Sequence, residues 1–195
     1  DLLEYTLSLT SAEEEWMEKI GGYLARLIEN ETTLNVGLGK WCYHIWKYLV
    51  HKQDLAIYSE ILSLTPAFWN LVENNIITCN HNPVYPHIMT SFALGTKIDY
   101  QRLHHNPFFE FHATEFLNNP LNIARNHKMC SIYGAIAVDL NGQISNHLNQ
   151  RFYSGIGGEL DFINGTALAE GGKTIIVLPS TTRDGKISRI LPMIN

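Results

Sequence analysis

The stretch DLAIYSEILSLTPAFWNLVE, Asp54 to Glu73, decides how this chain is read. Leu55 to Tyr58 form a four-residue apolar run, the pattern of a strand buried on both faces of a parallel sheet. Pro66 has the fixed φ that suits the first turn of a helix, and the spacing carries that helix through Glu73. Strand, loop and helix in this order make the repeating half of a parallel α/β sheet.

The same unit recurs on either side. Upstream, TSAEEEWMEKIGGYLARLIEN predicts an amphipathic helix, with Ser11 and Glu14 as a capping box and Trp16, Ile20, Leu24, Leu27 and Ile28 on one face. TLNVGLGK gives a short strand and a glycine turn, and WCYHIWKYLV a mostly buried helix. Downstream of an Asn/His/Pro-rich connection, Asn74 to His87, SFALG reads as a strand and TKIDYQRLHHN as a helix. FFEFHATEFL and KMCSIYGAIAVDL predict further strands, the second ending in a turn at Asn141 and Gly142. GELDFINGTALAEG is helical, and TIIVLPS and KISRILP are terminal strands joined by a turn at Arg183, Asp184 and Gly185. The alternation predicts an α/β fold with a mostly parallel sheet flanked by helices. No internal repeat or linker interrupts it, so residues 1–195 are expected to form a single domain.

Composition narrows the function classes. A net charge of −5 without a Lys/Arg cluster argues against nucleic acid, which needs a basic stripe to displace counterions. The longest apolar run, Ile175 to Pro179, is far short of the roughly 20 residues that cross a bilayer, and no signal peptide is expected. A cytoplasmic protein without membrane contact is expected. Cys42, Cys79 and Cys130 are odd in number and widely spaced, which fits buried free thiols rather than a disulfide framework. The sequence opens at Asp1, so a processed product or excised piece with more chain upstream is expected.

Three glycines within four residues mark FYSGIGGELDF, Phe152 to Phe162. Such a cluster signals a special turn or a close backbone approach to a ligand. The dinucleotide fingerprint fails here because Leu160 occupies its last glycine position. The phosphate-loop pattern fails at GGKT, Gly171 to Thr174, because residue 167 is alanine and the strand follows the motif. What survives is a glycine turn opening a helix, whose free N–H groups could face an anion or could simply terminate a turn. Glu60 ends the DLAIYSE run, at the carboxyl side where ligands gather on open α/β sheets, but a solvated surface glutamate would sit there equally well. Cys79 with His81 and His87, or His104 with His105, lack the paired short spacings of a zinc site, and no metal is expected.

These residues together resemble the acetyl-CoA hydrolase/transferase family, which includes 4-hydroxybutyrate and acetate CoA-transferases, and specifically its C-terminal domain. FYSGIGGELDF is similar to the family's YSGIGGQ-x-DF. GGKTIIVLPSTTRDGKISRILP is similar to its GGK-x-IIALPST-x-x-x-G-x-x-SRIVP. NPFFEFHATEFLNNPLNIARN and SFALGTK also resemble family segments, so the likeness runs from about Glu13 onward. The resemblance implies a NagB/RpiA/CoA-transferase-like fold and coenzyme A as a substrate, without a metal. IYSEI falls where the family carries its catalytic glutamate, which makes Glu60 the implied nucleophile toward an acyl-CoA thioester, through a glutamyl-CoA thioester to a short-chain carboxylate. It implies CoA contacts for Asn35, Val36, Gly37, Leu38 and Gly39, for Ser154, Gly155, Gly157 and Gly158, and for Arg183. It further implies an N-terminal domain that completes the cleft, a homo-oligomer, and weak or absent turnover by this stretch alone.

The chain departs from the family pattern in places. Ser63, Leu64 and Thr65 replace an S-D-G after the nucleophile, Ala137 replaces a glutamate within A-L-E-V-D-L, and Trp41 to His44 replace a smaller stretch. These departures motivate the alternative of a catalytically degenerate CoA-binding or assembly domain.

Overall fold

A computed structural model describes residues 3–148, 151, 152 and 157–194. Along the chain the longer strands are β1 (Thr33–Val36), β2 (Ala56–Ser63), β3 (Ile88–Leu94), β4 (Phe109–Phe111) and β5 (Met129–Gly134). Four short ones follow, β6 (Ala137–Asp139), β7 (Ile144–Ser145), β8 (His147–Leu148) and β9 (Arg151–Phe152), and then β10 (Lys173–Val177) and β11 (Ile190–Leu191). Six of them make one sheet in the order β10-β5-β1-β2-β3-β4, parallel at every pairing. A smaller sheet joins β11, β6 and β7, and β8 pairs with β9. The predicted mostly parallel α/β architecture is what the chain forms.

Helices cover both faces of the large sheet. On one side lie α1 (Ser11–Leu27), α2 (Lys40–Tyr43) with a 3-10 turn at Ile45–Tyr48, α3 (Pro66–Glu73) and α4 (Lys97–Leu103). Leu24, Trp46, Phe68 and Trp69 from this layer pack with Leu34, Ile57 and Ile132 of the sheet in one core. On the other side lie α5 (Thr114–Leu117), α6 (Pro120–Ile123) and α7 (Glu159–Leu168), whose Leu117, Ile123 and Phe162 pack on Tyr58, Met89 and Met129. Burial of such side chains contributes about 1.5–3 kcal/mol each, so the two cores hold the sheet as the rigid middle layer.

Several local readings are corrected. The capping box lies one residue earlier than Ser11 and Glu14: Thr10 is extended and its backbone N–H donates to Glu13 Oε2 at 2.9 Å. WCYHIWKYLV does not form one helix but breaks at His44 between α2 and the 3-10 turn. FFEFHATEFL is strand only to Phe111, because the chain leaves the sheet after His112 N–H donates to Thr90 O and coils into α5. KMCSIYGAIAVDL divides between two sheets, since Ile136 N–H turns to Ser145 O. KISRILP contributes only the two residues of β11, which pair in parallel with β6 rather than extending β10. The three thiols are free and buried, and burial pushes each up to about 12. Among the described residues no helix is long and apolar enough to cross a membrane.

Candidate active site

The chain moves outward from β1 through β2, β3 and β4, then returns to lay β5 on the other side of β1. The strand order therefore reverses between β1 and β5, and a crevice opens outside their carboxyl ends, the place where open α/β sheets bind ligands. β1 stops at Val36, whose N–H donates to Ser59 Oγ at 3.3 Å, while β2 continues to Ser63. Glu60 is thus not the end of its strand, as the sequence reading had it. It lies mid-strand, one residue past the point where its neighbour terminates, and the missing neighbour exposes it to the crevice.

A cleft of about 630 Å³ occupies this point. Asn35, Gly37, Leu38 and Gly39 line one wall, the turn leaving β1. Gly39, at φ 142°, has backbone only glycine adopts readily, and it lets the chain turn directly into α2. Tyr133 and Gly134 at the end of β5 form the adjoining wall, and Gly157, Gly158 and Glu159 close the cleft over Glu60. Tyr5 and Leu7 stand at its edge, fixed by Tyr5 N–H donating to Gly95 O at 2.8 Å.

Both oxygens of the half-buried Glu60 carboxylate are held. Gly158 N–H donates to Oε2 at 3.2 Å, and Asn118 Nδ2 donates to Oε1 at 2.9 Å. Gly158 precedes α7, so the positive end of that helix also points at the carboxylate. A Cβ on Gly158 would stand 2.6 Å from Glu60 Oε2 and would collide with Asn118 Nδ2, so any larger residue would have to push one or both of these side-chain ends aside. Its φ of −80° makes no such demand, whereas Gly157, at φ 56°, supplies the left-handed turn.

Two further groups face the cleft that sequence reasoning did not single out. Glu159 is buried, and burial raises its carboxyl above the ordinary value, partly offset by Asn146 Nδ2 donating to Oε2 at 3.0 Å. Tyr133 accepts from Asn35 Nδ2 at 2.8 Å, and burial raises its phenol pKa as well. Asn118, too, was missed: it lies 58 residues from Glu60, a separation that leaves no local signal.

The expected CoA contacts are brought together in part. Asn35, Gly37, Leu38, Gly39, Gly157 and Gly158 line the cleft with Glu60. Val36 instead turns its side chain into the core. Arg183 sits exposed in the turn whose Gly185 N–H donates to Thr182 O, away from the cleft lining. Ser154 and Gly155 lie outside the described residues. The departures after the nucleophile do not face the cleft: Leu64 is buried in the core and Thr65 caps α3, its Oγ1 accepting from Phe68 N–H at 3.0 Å. Among the described residues, no group of three or more His, Cys, Asp or Glu side chains could hold a metal ion.

Known proteins resemble this chain in sequence and in fold. A 4-hydroxybutyrate coenzyme A transferase of Clostridium kluyveri is 38% identical over 178 residues, covering 90% of this chain and 41% of its own length. A succinyl-CoA:cyclohexane-1-carboxylate CoA transferase of Geobacter metallireducens is 37% identical, covering 90% of this chain and 40% of its own length. The crystal structure of RipA from Yersinia pestis superposes with a TM-score of 0.88 at 29% identity, over 99% of this chain and 43% of that one. The chain thus spans about two-fifths of the length of the relatives it matches. Residues 95–195, which include Asn118, Tyr133 and Gly158 but begin after Glu60, match the acetyl-CoA hydrolase/transferase C-terminal domain. More than half of the chain carries that match, and the chain belongs to the acetyl-CoA hydrolase/transferase C-terminal domain family.

Proposed function

We propose that this chain carries the nucleophile of an enzyme that moves CoA between carboxylic acids, and that Glu60 is that nucleophile. One observation carries the reading: at the topological switch point, Gly158 N–H and Asn118 Nδ2 each tie one oxygen of Glu60, leaving its remaining lone pairs open to the cleft. In the first step a Glu60 oxygen attacks the thioester carbonyl of acyl-CoA and the C–S bond breaks, giving an acyl-glutamyl anhydride and CoA thiolate. The thiolate then attacks the glutamyl carbonyl, releasing the acyl group as a carboxylate and leaving CoA on Glu60 as a thioester. A second carboxylate reverses the sequence and departs as its CoA ester. Water in place of that carboxylate gives hydrolysis.

Backbone and amide donors preorganised at a developing oxyanion are worth about 3 kcal/mol each. Gly158 N–H already lies on a Glu60 oxygen, so it can stabilise the charge that forms when the glutamyl carbonyl is attacked. The relatives are transferases for short or cyclic acids by name, and a short carboxylate suits a cleft of about 630 Å³ that must also admit the end of CoA. A further domain of the full-length protein supplies the facing wall.

The test is exchange by the full-length protein: acyl-CoA plus a different carboxylate yields a new acyl-CoA, and Glu60→Gln abolishes this. CoA binding without exchange or hydrolysis would instead identify a non-catalytic CoA-binding domain.

A further inference from the structure

We infer that Tyr133 is a second catalytic residue, whose hydroxyl holds the thioester carbonyl oxygen of acyl-CoA while Glu60 attacks; this deepens the function proposed above and rests on it. The two steps place negative charge on different oxygens. In the first it develops on the acyl carbonyl oxygen, and in the second on the carbonyl oxygen of Glu60 itself. Gly158 N–H and Asn118 Nδ2 are both committed to Glu60, at 3.2 and 2.9 Å, and therefore serve the second. The acyl oxygen needs a donor from another wall of the cleft.

Tyr133 is placed and prepared for that. Its ring packs against Gly37, where a Cβ would stand 2.5 Å from Cδ1, so the glycine after β1 is what seats the ring. Behind it runs a chain of hydrogen bonds. Asn35 Nδ2 donates to the Tyr133 oxygen at 2.8 Å, and Asn35 Oδ1 lies 2.9 Å from Ser59 Oγ, a hydroxyl that also faces Ile61 O at 2.8 Å. Asn35 and Ser59 are buried, and the Asn35 bond uses the phenol oxygen as an acceptor. Its single proton has no acceptor among the described residues and is left for a ligand in the cleft that Tyr133 lines. The amide donor also polarises the phenol, which strengthens the bond the proton can make. Glu60 and Glu159 line the same cleft, and burial keeps the phenol protonated beside them. Tyr133 keeps its proton throughout: Glu60 supplies the electron pair, the C–S bond breaks, and CoA leaves as thiolate.

The experiment separates the two oxygens. Full-length wild type and Tyr133→Phe are incubated with acyl-CoA, and the rate at which CoA becomes bound to Glu60 is followed by mass spectrometry. The pre-formed adduct is then isolated from each and treated with hydroxylamine, which attacks only the glutamyl carbonyl. Tyr133→Phe is expected to slow adduct formation about 100-fold, the scale for one oxyanion donor, with hydroxylamine cleavage unchanged. Equal slowing of both reactions would reduce Tyr133 to a structural role, and unchanged adduct formation would overturn the inference alone. Wild type that forms no adduct would overturn the parent reading and this one with it.

Discussion

Gly158 and Glu60 define each other: the Gly158 N–H reaches Glu60 Oε2 at 3.2 Å, and the space a Cβ would need at Gly158 is taken by that oxygen and by Asn118 Nδ2. The glycine cluster thus serves close approach at one position and left-handed backbone at the next, Gly157. Gly158→Ala separates chemistry from stability, because φ −80° at this position accommodates alanine without backbone strain. The Cβ must displace Glu60 or Asn118. Turnover of the full-length protein is expected to fall about 100-fold, as for loss of an oxyanion donor, while the melting temperature drops by only a few degrees. Loss of folding in proportion to activity would return Gly158 to the role of a simple turn.

Glu159 sets an expected pH dependence. Burial raises its carboxyl, so in the folded protein it stays protonated to a higher pH than an ordinary glutamate. Ionisation then adds negative charge to a cleft that must admit anionic CoA and carboxylates. CoA affinity is expected to weaken as pH rises through the raised Glu159 value, and stability to decline over the window between the ordinary carboxylate value and that raised one. Titrations of CoA binding by calorimetry across this range should show the effect in wild type and a flatter profile in Glu159→Gln. An identical slope in both would assign the dependence to another group.

The opposite sign holds at Glu13. Thr10 N–H and Lys40 hold its carboxyl down to about 2, with Lys40 Nζ 3.0 Å from Oε1. This contact ties α1 to the start of α2, where Lys40 also lines the cleft. A depressed folded value means stability that is fully present above the ordinary carboxylate range and lost as pH falls toward about 2. Urea denaturation at pH 7 and pH 3 is expected to show a larger acid-induced loss for wild type than for Glu13→Gln. A Glu13→Gln variant that loses as much would remove this pair from the account.

The alternation of strands and helices was legible in sequence because β2 and β10 carry short apolar runs and the longer helices have clear starts. Pro66 and Thr65 fix α3 from Pro66 to Glu73, as its sequence predicts. Glu60 and the glycine cluster stood out in the sequence, one at the end of an apolar run and the other as three glycines in four residues, but only the resemblance assigned them roles, since a carboxylate beside apolar residues has no distinguishing local pattern. What sequence did not reveal were the partners that nonlocal packing supplies. Asn118 reaches Glu60 because α5 packs beneath β2, where Tyr58 Oη donates to Phe116 O at 3.4 Å. Tyr133 meets Asn35 because the strand reversal sets β5 beside β1, across 98 residues of chain. Short segments such as KISRILP failed for the same reason, since their pairing is decided by β6 rather than by their own propensity.

The central claim concerns one carboxylate, and its most direct measurement is the mass of the peptide that carries it. Full-length protein is incubated with acyl-CoA without an acceptor, treated with borohydride to reduce any thioester, and digested. Glu60 is expected to appear as the alcohol in wild type, at near one equivalent per site, and unreduced when acyl-CoA is omitted. Reduction at another carboxylate, or none at Glu60 while acyl-CoA is consumed, would contradict the account.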